Sequence, residues 1–519
     1  MGETRTVRET ERKYSGEQID ADLAAALATA LATAAAGATQ GTAGPPREPA
    51  EFALSAVYFD TEDLRLARSG ITLRRRTGGN DDGWHLKLPA GPDARDEVRL
   101  PHEGLGAPPA ALVTLTRVAH RGAPLGPVVE LDTARQEWTL ADCDGRPVAT
   151  VTDDRVTGQT LAAPTSVTRW EEIEVELAEH GTPEVLDRIE QALLDAGAHR
   201  AEGWSKLGRV LADRLPPAPP RPVAGEDASA GDVVLAYLWK QADAIRATDP
   251  RVRQNAPDSV HAMRVACRRM RSTLQSFRVV LERERTEALV DELRWLAGQL
   301  GGARDLQVQE QRIARAVGAL PAELAMGPIA AQTTRFFARR RADASHTADE
   351  AMDSDRYMAL LDAIDALLAD PPRTPAADTP AGVLLPTVVA KAVKRAGRSL
   401  RTADAQAAGP ERDEHLHEMR KAAKRLRYAA EAIRPVQGRA AKRLARQVKA
   451  VQELLGEHQD SVVARGLLRE LGAAAPAEGG NGFAFGWLMR DEQARAERVE
   501  AQLDPTWAKL RRRARAVTG

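Results

Sequence analysis

Cysteine is nearly missing from this chain of 519 residues; Cys143 and Cys267 are the only two. Two thiols cannot make a disulfide framework or a thiolate metal site, and such scarcity points to a reducing, cytoplasmic setting. Long apolar runs are missing as well. The lowest-charge stretch, Leu23–Ala36, is mostly alanine and falls short of the ~20 strongly apolar residues that span a bilayer. Met1–Glu11 is charged where a secretory leader would be apolar, so neither leader nor membrane partner is expected. An excess of one charge sign is missing too, since the net charge is −1. What is present is a 43% apolar, 28% charged composition, enough for packed cores and too apolar for wholesale disorder.

The balanced net charge conceals a division. Residues 1–215 hold 24 Lys and Arg against 35 Asp and Glu, a net of −11, whereas the remainder holds 49 against 39, a net of +10. Opposite halves of this kind suggest two domains with different partners, the second a polyanion. Between them, Leu215–Gly231 reads LPPAPPRPVAGEDASAG, which cannot continue a helix or sheet and should act as a semi-stiff linker. The expected organisation is a domain over 1–213, a linker over 214–230 and a second domain over 231–519.

The first half alternates with period two in Thr4–Tyr14, Phe52–Phe59, Gly70–Thr77, Gly83–Leu88, Glu97–Leu100, Val128–Glu137, Val148–Thr152 and Arg169–Leu177. These runs predict antiparallel strands on a closed or strongly curved sheet. Ile19–Ala36 and Pro183–Ala196 carry helical periodicity instead. The polar faces of the strands are sorted by sign. Glu9, Glu11 and Lys13 share one face, Glu172, Glu174 and Glu176 another, and Arg74 and Arg76 a third. An ordinary one-sided sheet also alternates apolar with charged residues, but it does not sort them this way. Like charges two apart repel unless opposite charge lies between them. Five such glutamates suit a hard-oxygen site for Mg²⁺ or Mn²⁺. Arg74, Arg76, Lys87, Arg117, Arg135 and Lys206 suit a polyphosphate anion.

Glu9-Thr-Glu-Arg-Lys13 resembles the ExExK signature of the CYTH family, the triphosphate tunnel metalloenzymes. Further matches follow in order: Tyr58–Thr61, Leu64–Arg76, Trp84–Pro89, Arg95-x-Glu97, Asp153-Asp154, Glu172-x-Glu-x-Glu176 and Ser205-Lys206. The resemblance implies an α+β fold with an eight-stranded antiparallel β tunnel. It also implies hydrolysis of inorganic, thiamine or nucleoside triphosphates, or cyclisation of ATP, with a divalent metal, Mg²⁺ or Mn²⁺. Carried over, Glu9, Glu11, Glu172, Glu174 and Glu176 would hold metal and position water. Lys13, Arg74, Arg76, Lys87, Arg95, Arg117, Arg135 and Lys206 would hold the phosphates, with Glu9, Glu11 and Lys87 nearest the chemistry. Tyr58–Thr61 reads as a strand end, and Asp153-Asp154 as a turn or a support at the tunnel mouth.

From Gly231 the pattern becomes long Ala-, Leu-, Arg- and Glu-rich helices, and it repeats. Val260–Arg271 (VHAMRVACRRMR) aligns with Leu416–Arg427 (LHEMRKAAKRLR), and Leu300–Asp305 with Leu455–Asp460. Two motifs at nearly constant offset mean two copies of one helical unit, with pseudo-twofold packing as the natural arrangement. His261, Arg264, Arg268 and Arg271 fall on one helix face, and His417, Arg420, Lys424 and Arg427 repeat them. Lys391, Lys394, Arg398 and Arg401 make a third stripe, and Arg439, Lys442, Arg446 and Lys449 a fourth. Acids are nearly absent from these stripes, which implies a counter-anion.

The repeated motif resembles the CHAD family, all-helical domains associated with inorganic polyphosphate. This implies that His261, Arg264, Arg268, Arg271, Lys391, Lys394, Arg398, His417, Arg420, Lys424, Arg427, Arg446 and Lys449 bind long-chain polyphosphate. His261 and His417 lack carboxylate neighbours and suit phosphate hydrogen bonding better than metal; His458 has no counterpart in the first copy. Trp295, Phe336 and Phe337 are expected in the core, whereas nucleic-acid surfaces interleave aromatics with basic residues, so nucleic acid is disfavoured as a partner. The expected whole is an inorganic triphosphatase joined to a polyphosphate-binding bundle. A non-catalytic polyphosphate scaffold and a class IV adenylate cyclase are the alternatives.

Overall fold

The computed structural model describes residues 5–15, 49–91, 93–101, 106–142, 144–162, 164–201 and 205–518. The helix expected over Ile19–Ala36, and Cys143, lie outside these described residues. The chain divides into two compact units, Met1–Ala218 and Pro219–Gly519.

In the first unit the strands are β1 (Arg5–Ser15), β2 (Ala50–Asp60), β3 (Thr72–Thr77), β4 (Gly83–Pro89), β5 (Ala94–Leu100), β6 (Gly126–Ala141), β7 (Pro147–Thr160), β8 (Val167–Leu177) and the two-residue β9 (His199–Arg200). Their order is β5-β4-β3-β2-β6-β7-β8-β1, and β1 also pairs with β5. That second pairing closes eight antiparallel strands into a barrel, with β9 added beside β1.

The barrel wears its hydrophobic face outward. Phe59, Leu73, Trp84, Leu86 and Val98 pack beneath the short helices α1 (Arg65–Arg68), α2 (Ala110–Leu115) and α3 (Arg117–His120). On the other side Tyr14, Val151, Ile173 and Val175 pack beneath α4 (Pro183–Asp195) through Leu186, Ile189 and Leu193. Because side chains alternate along a strand, burying these positions outside turns the charged set inward. The short α5 (Lys206–Val210) brings Leu207 and Val210 against Ala56, Tyr58 and Leu131. Gly158 makes room for it: a Cβ there would lie 2.4 Å from Val210 Cγ2 and 2.7 Å from Leu131 Cδ2.

In the second unit, two sets of five helical segments follow one another. The first is α6 (Ala230–Arg253), α7 (Ser259–Ser276), the consecutive pair α8 (Arg283–Gln299) and α9 (Gly301–Gly318), α10 (Ile329–Asp353) and α11 (Asp355–Ala369). The second is α12 (Ala381–Asp404), α13 (Pro410–Ala432), α14 (Arg434–Ala474), α15 (Phe483–Glu500) and α16 (Leu503–Thr518). The aligned motifs sit on α7 and α13, and these two helices pack against each other. Contact between the two copies is what the pseudo-twofold packing expected from the repeat requires. Phe337 is fully buried and Phe336, half-buried, packs edge-to-face on it at the core margin, whereas Trp295 is half-buried outside the core; the guanidinium groups of Arg356 and Arg340 lie 4.3 and 4.1 Å from the Trp295 and Phe336 ring centres. Each ring has one face covered by a cation. Among the described residues no helix is long and apolar enough to cross a membrane.

Candidate functional site

The barrel encloses a cavity of about 810 Å³ lined by Glu9, Glu11, Lys13, Arg74, Arg76, Lys87, Arg95, Arg135, Glu174, Glu176 and Lys206 among others. Period-two alternation delivers them. Glu11 stands opposite Glu176 and Lys13 opposite Glu174 across β1 and β8, and Lys87 stands opposite Glu97 across β4 and β5. Arg117 is not among the lining residues; it belongs to α3 outside the strands. Arg95 is a strand residue rather than a turn residue, and its Nη1 is engaged by the carbonyl oxygens of Gly91 and Ala94.

The pair Asp153-Asp154 is not a turn but lies inside β7. Asp154 is fully buried, receives both ends of the Arg135 fork at 2.7 and 2.6 Å, and lies 2.9 Å from Lys206 Nζ. Lys206 Nζ also reaches Glu172 at 2.7 Å and Glu174 at 2.9 Å. Asp154, Glu172 and Glu174 offer oxygens close enough together to hold a metal ion, but the ammonium already stands among all three. Charge there is matched from within. Glu9 is similarly taken, by Lys87 at 2.6 Å and Arg99 at 2.9 Å. Burial pushes its carboxyl up to about 7, against the pull of Lys87 and reinforced by the hydrogen bond to Glu97. Glu97, despite burial, is held well below its usual range by His85, Lys87 and Glu9.

Two groups are left over. Glu11 has only Lys13 and Lys87 nearby, each at 3.8 Å, and Glu176 makes no ion pair among the described residues. Burial, with Glu11, Glu174 and Glu97 beside it, pushes the Glu176 carboxyl upward against Lys87. Facing acids without a close cation fit a divalent ion with a preference for oxygen ligands. The second group is Arg74. It is half-buried with its Nε shielded and unbonded, its Nη1 donates to Tyr58 Oη at 3.1 Å, and it has no carboxylate ion-pair partner among the described residues. Of the five glutamates expected to hold metal, then, Glu9, Glu172 and Glu174 are already ion-paired, and Glu11 with Glu176 keeps open capacity. Glu97, Arg99 and Asp154 join the site without having been assigned to it.

In the helical unit, Arg264 grips Asp305 with both fork nitrogens at 2.9 Å, and its Nη1 donates to the Gly301 carbonyl oxygen at 3.3 Å. The second copy places Arg420, Gly456 and Asp460 at the equivalent positions, with Asp460 the acid that acts most strongly on Arg420 against the effect of burial. A Cβ at Gly301 would lie 3.0 Å from Arg264 Nη2, and one at Gly456 would lie 2.5 Å from Arg420 Nη1. Both glycines are thus seats for an arginine. Where α7 meets α13, burial and the charges of Arg420, Arg268 and Arg264 push Lys424 down to about 7. Arg271 is lowered by burial, Arg294 and Arg268. Arg425 is lowered by burial and Arg395, with Arg271 and Arg278 adding to the effect.

Arg427, by contrast, is spent on Glu431 at 2.8 Å and Gln452 at 3.2 Å. His261 is exposed, and His417 Nδ1 lies 2.6 Å from Gln459 Oε1. Lys391, Lys394, Arg398 and Arg446 are exposed and have no ion pair among the described residues, while Lys449 reaches Glu453 at 3.3 Å. His458 is buried between Glu500 at 3.1 Å and Asp413 at 3.4 Å, acids also held by Arg412 and Arg465. Its place is a junction between α13, α14 and α15.

Two family models match the chain: one described as CYTH domain over residues 45–209, the other as CHAD domain over 236–469. The CYTH match begins after β1, whose place between β5 and β8 is given by strand pairing. An uncharacterized protein of Mycobacterium tuberculosis, found in two strains, is 38% identical over 473 residues, covering 88% of this chain and 90% of the relative. Among solved structures, PptA from Streptomyces chartreusis aligns at 24% identity over 54% of this chain and 100% of its own, with a TM-score of 0.46. The CHAD domain from the plant Ricinus communis aligns at 25% identity, covering 58% of this chain and 97% of its own, with a TM-score of 0.41.

Proposed function

The chain belongs to the proteins that join a CYTH domain to a CHAD domain, and from that premise we propose that its barrel hydrolyses inorganic triphosphate with a divalent metal while its helical unit binds inorganic polyphosphate. One observation carries the reading. In a lumen where most charges are paired closely, a half-buried guanidinium (Arg74) has no ion-paired acid among the described residues, and a facing acid pair (Glu11, Glu176) has no ion-pair cation closer than 3.8 Å. A phosphate chain and a metal ion complete both at once.

Arg74, Lys87, Arg76 and Arg135 would bind phosphate oxygens, the arginines as forks and the lysine as a point charge. Glu11 and Glu176 would hold the metal, which supplies charge neutralisation at the phosphates when bound. Phosphoryl transfer asks mainly for such positioning. Glu9, poised near neutrality, is suited to accept the proton of an attacking water. The water oxygen bonds the terminal phosphorus, the bridging P–O bond breaks, and phosphate and pyrophosphate leave. In the helical unit, the support is a basic patch in which burial, added to by neighbouring cations, pushes Lys424, Arg271 and Arg425 down.

The test is phosphate release from tripolyphosphate, ATP and thiamine triphosphate, each with Mg²⁺ and with Mn²⁺. Release from tripolyphosphate that stops on chelation is the expected outcome. Turnover that survives excess EDTA would overturn the metal-dependent reading.

A further inference from the structure

The turn between β3 and β4 carries an acid into the cavity. Asp81 pairs with Arg76 and lies 4.0 Å from Arg99. The Arg76 side chain is 10% exposed, and its Nε is buried without a hydrogen bond. Burial, with Arg74 and Arg135 close by, pushes this guanidinium down to about 9. Asp81 is its one ion-pair partner among the described residues.

The seat of the turn is built rather than incidental. Gly78 and Gly83 have φ of +84° and +150°, and a Cβ would stand 2.1 Å from the Ala53 carbonyl oxygen at the first and 2.5 Å from the Leu100 carbonyl oxygen at the second. Only glycine lets the backbone approach β2 and β5 this closely. His85 Nε2 lies 2.9 Å from the Asp81 carbonyl oxygen, and its Nδ1 lies 2.9 Å from Glu97 Oε1. The backbone of Asp81 is therefore fixed to the floor of the site, and its carboxylate is delivered over the outermost cations of β3 and β5.

From this placement we infer that Asp81 is a built-in competitor for Arg76: a phosphate chain that reaches Arg76 must displace it, and its return helps expel the product. The inference rests on the triphosphate reading of the tunnel. Arg74 lies two residues deeper along β3, about 7 Å, so an anion held at Arg74 extends toward Arg76 as it lengthens. The carboxylate is tethered and acts at the high effective concentration of an intramolecular group. Displacement needs only side-chain rotation, since the backbone is held by the glycines and His85.

The test is calorimetric titration of the full chain with tripolyphosphate, in EDTA and again with Ca²⁺. Asp81→Asn should bind at least about tenfold more tightly than wild type, the scale of one charge-assisted hydrogen bond. Asp82→Asn, an exposed neighbour on the same turn, should match wild type, and in an Arg76→Ala background Asp81→Asn should have little effect. Equal or weaker binding by Asp81→Asn overturns the inference, as does an effect that persists in full without Arg76. A wild-type chain that takes up no tripolyphosphate under either condition sinks the tunnel reading as well. Binding by wild type with no gain in Asp81→Asn sinks the competitor alone.

Discussion

Arg74 is the cation that the tunnel leaves without an acid, and its replacement has a defined expected effect. Arg74→Ala should lower kcat/KM for tripolyphosphate by roughly tenfold to hundredfold, about 1.5–3 kcal/mol for a charged hydrogen bond. The protein should remain folded, because no buried carboxylate is left unpaired. Steady-state kinetics with a thermal melt check both halves of this expectation. Lys424 gives a second expectation, in pH. A lysine depressed from 10.5 to about 7 holds fewer protons than the unfolded chain across that window, so stability of the free protein rises with pH there. An anion on the patch relieves the repulsion, and the complex takes up a proton. Polyphosphate affinity should therefore fall as pH rises above about 7. Titrations in buffers of different ionisation enthalpy should show proton uptake, and Lys424→Met should abolish it.

Much of this residue-level chemistry was legible in the sequence. Glu9, Glu11, Lys13, Arg74, Arg76, Glu174 and Glu176 announce themselves by alternation, because a strand repeats every two residues whatever it packs on. What was not legible is which charges cancel. Lys206 among Asp154, Glu172 and Glu174 joins three elements. Asp153-Asp154 reads locally as a turn and becomes part of a strand only because β6 and β8 flank it. Arg117 has the right charge on the wrong kind of element.

Among the elements, the duplicated helices show how backbone geometry serves a side chain. Helical stripes reveal which residues share a face, but the partner of Arg264 is Asp305 on α9, beyond any i±4 pattern. Gly301 opens α9 and Gly456 lies inside α14, where glycine disfavours the helix by about 1 kcal/mol relative to alanine. Their use is room for a guanidinium. Gly456→Ala should therefore keep or raise the melting temperature while weakening polyphosphate binding several-fold, because the new methyl meets Arg420 Nη1. Gly301→Ala, with more room, should do less. A melting scan with a binding isotherm for each variant decides it, and equal binding by Gly456→Ala and wild type would show that Arg420 needs no such seat.

For the molecule as a whole, the proposed function asks the two units to recognise phosphate by different means: a closed lumen of mostly paired charge, and a helical face with exposed cations unpaired among the described residues. Crossing the variants tests whether the activities are separable. Arg74→Ala should lose triphosphate turnover and keep polyphosphate binding; Gly456→Ala should do the reverse. Loss of both properties in a variant whose melting temperature is unchanged would mean that the two activities are not separable.

The self-packing of α7 on α13 has a consequence for the kind of polymer that fits. Two copies of one motif, if a pseudo-twofold relates them as the repeat leads one to expect, would look nearly the same to a chain threaded from either end. Inorganic polyphosphate has no head or tail, so both copies can be satisfied whichever way it enters. A nucleic-acid strand has a direction, and reversing it presents a different face to each copy. On the proposed polyphosphate reading, such pseudo-symmetry would favour a ligand without polarity.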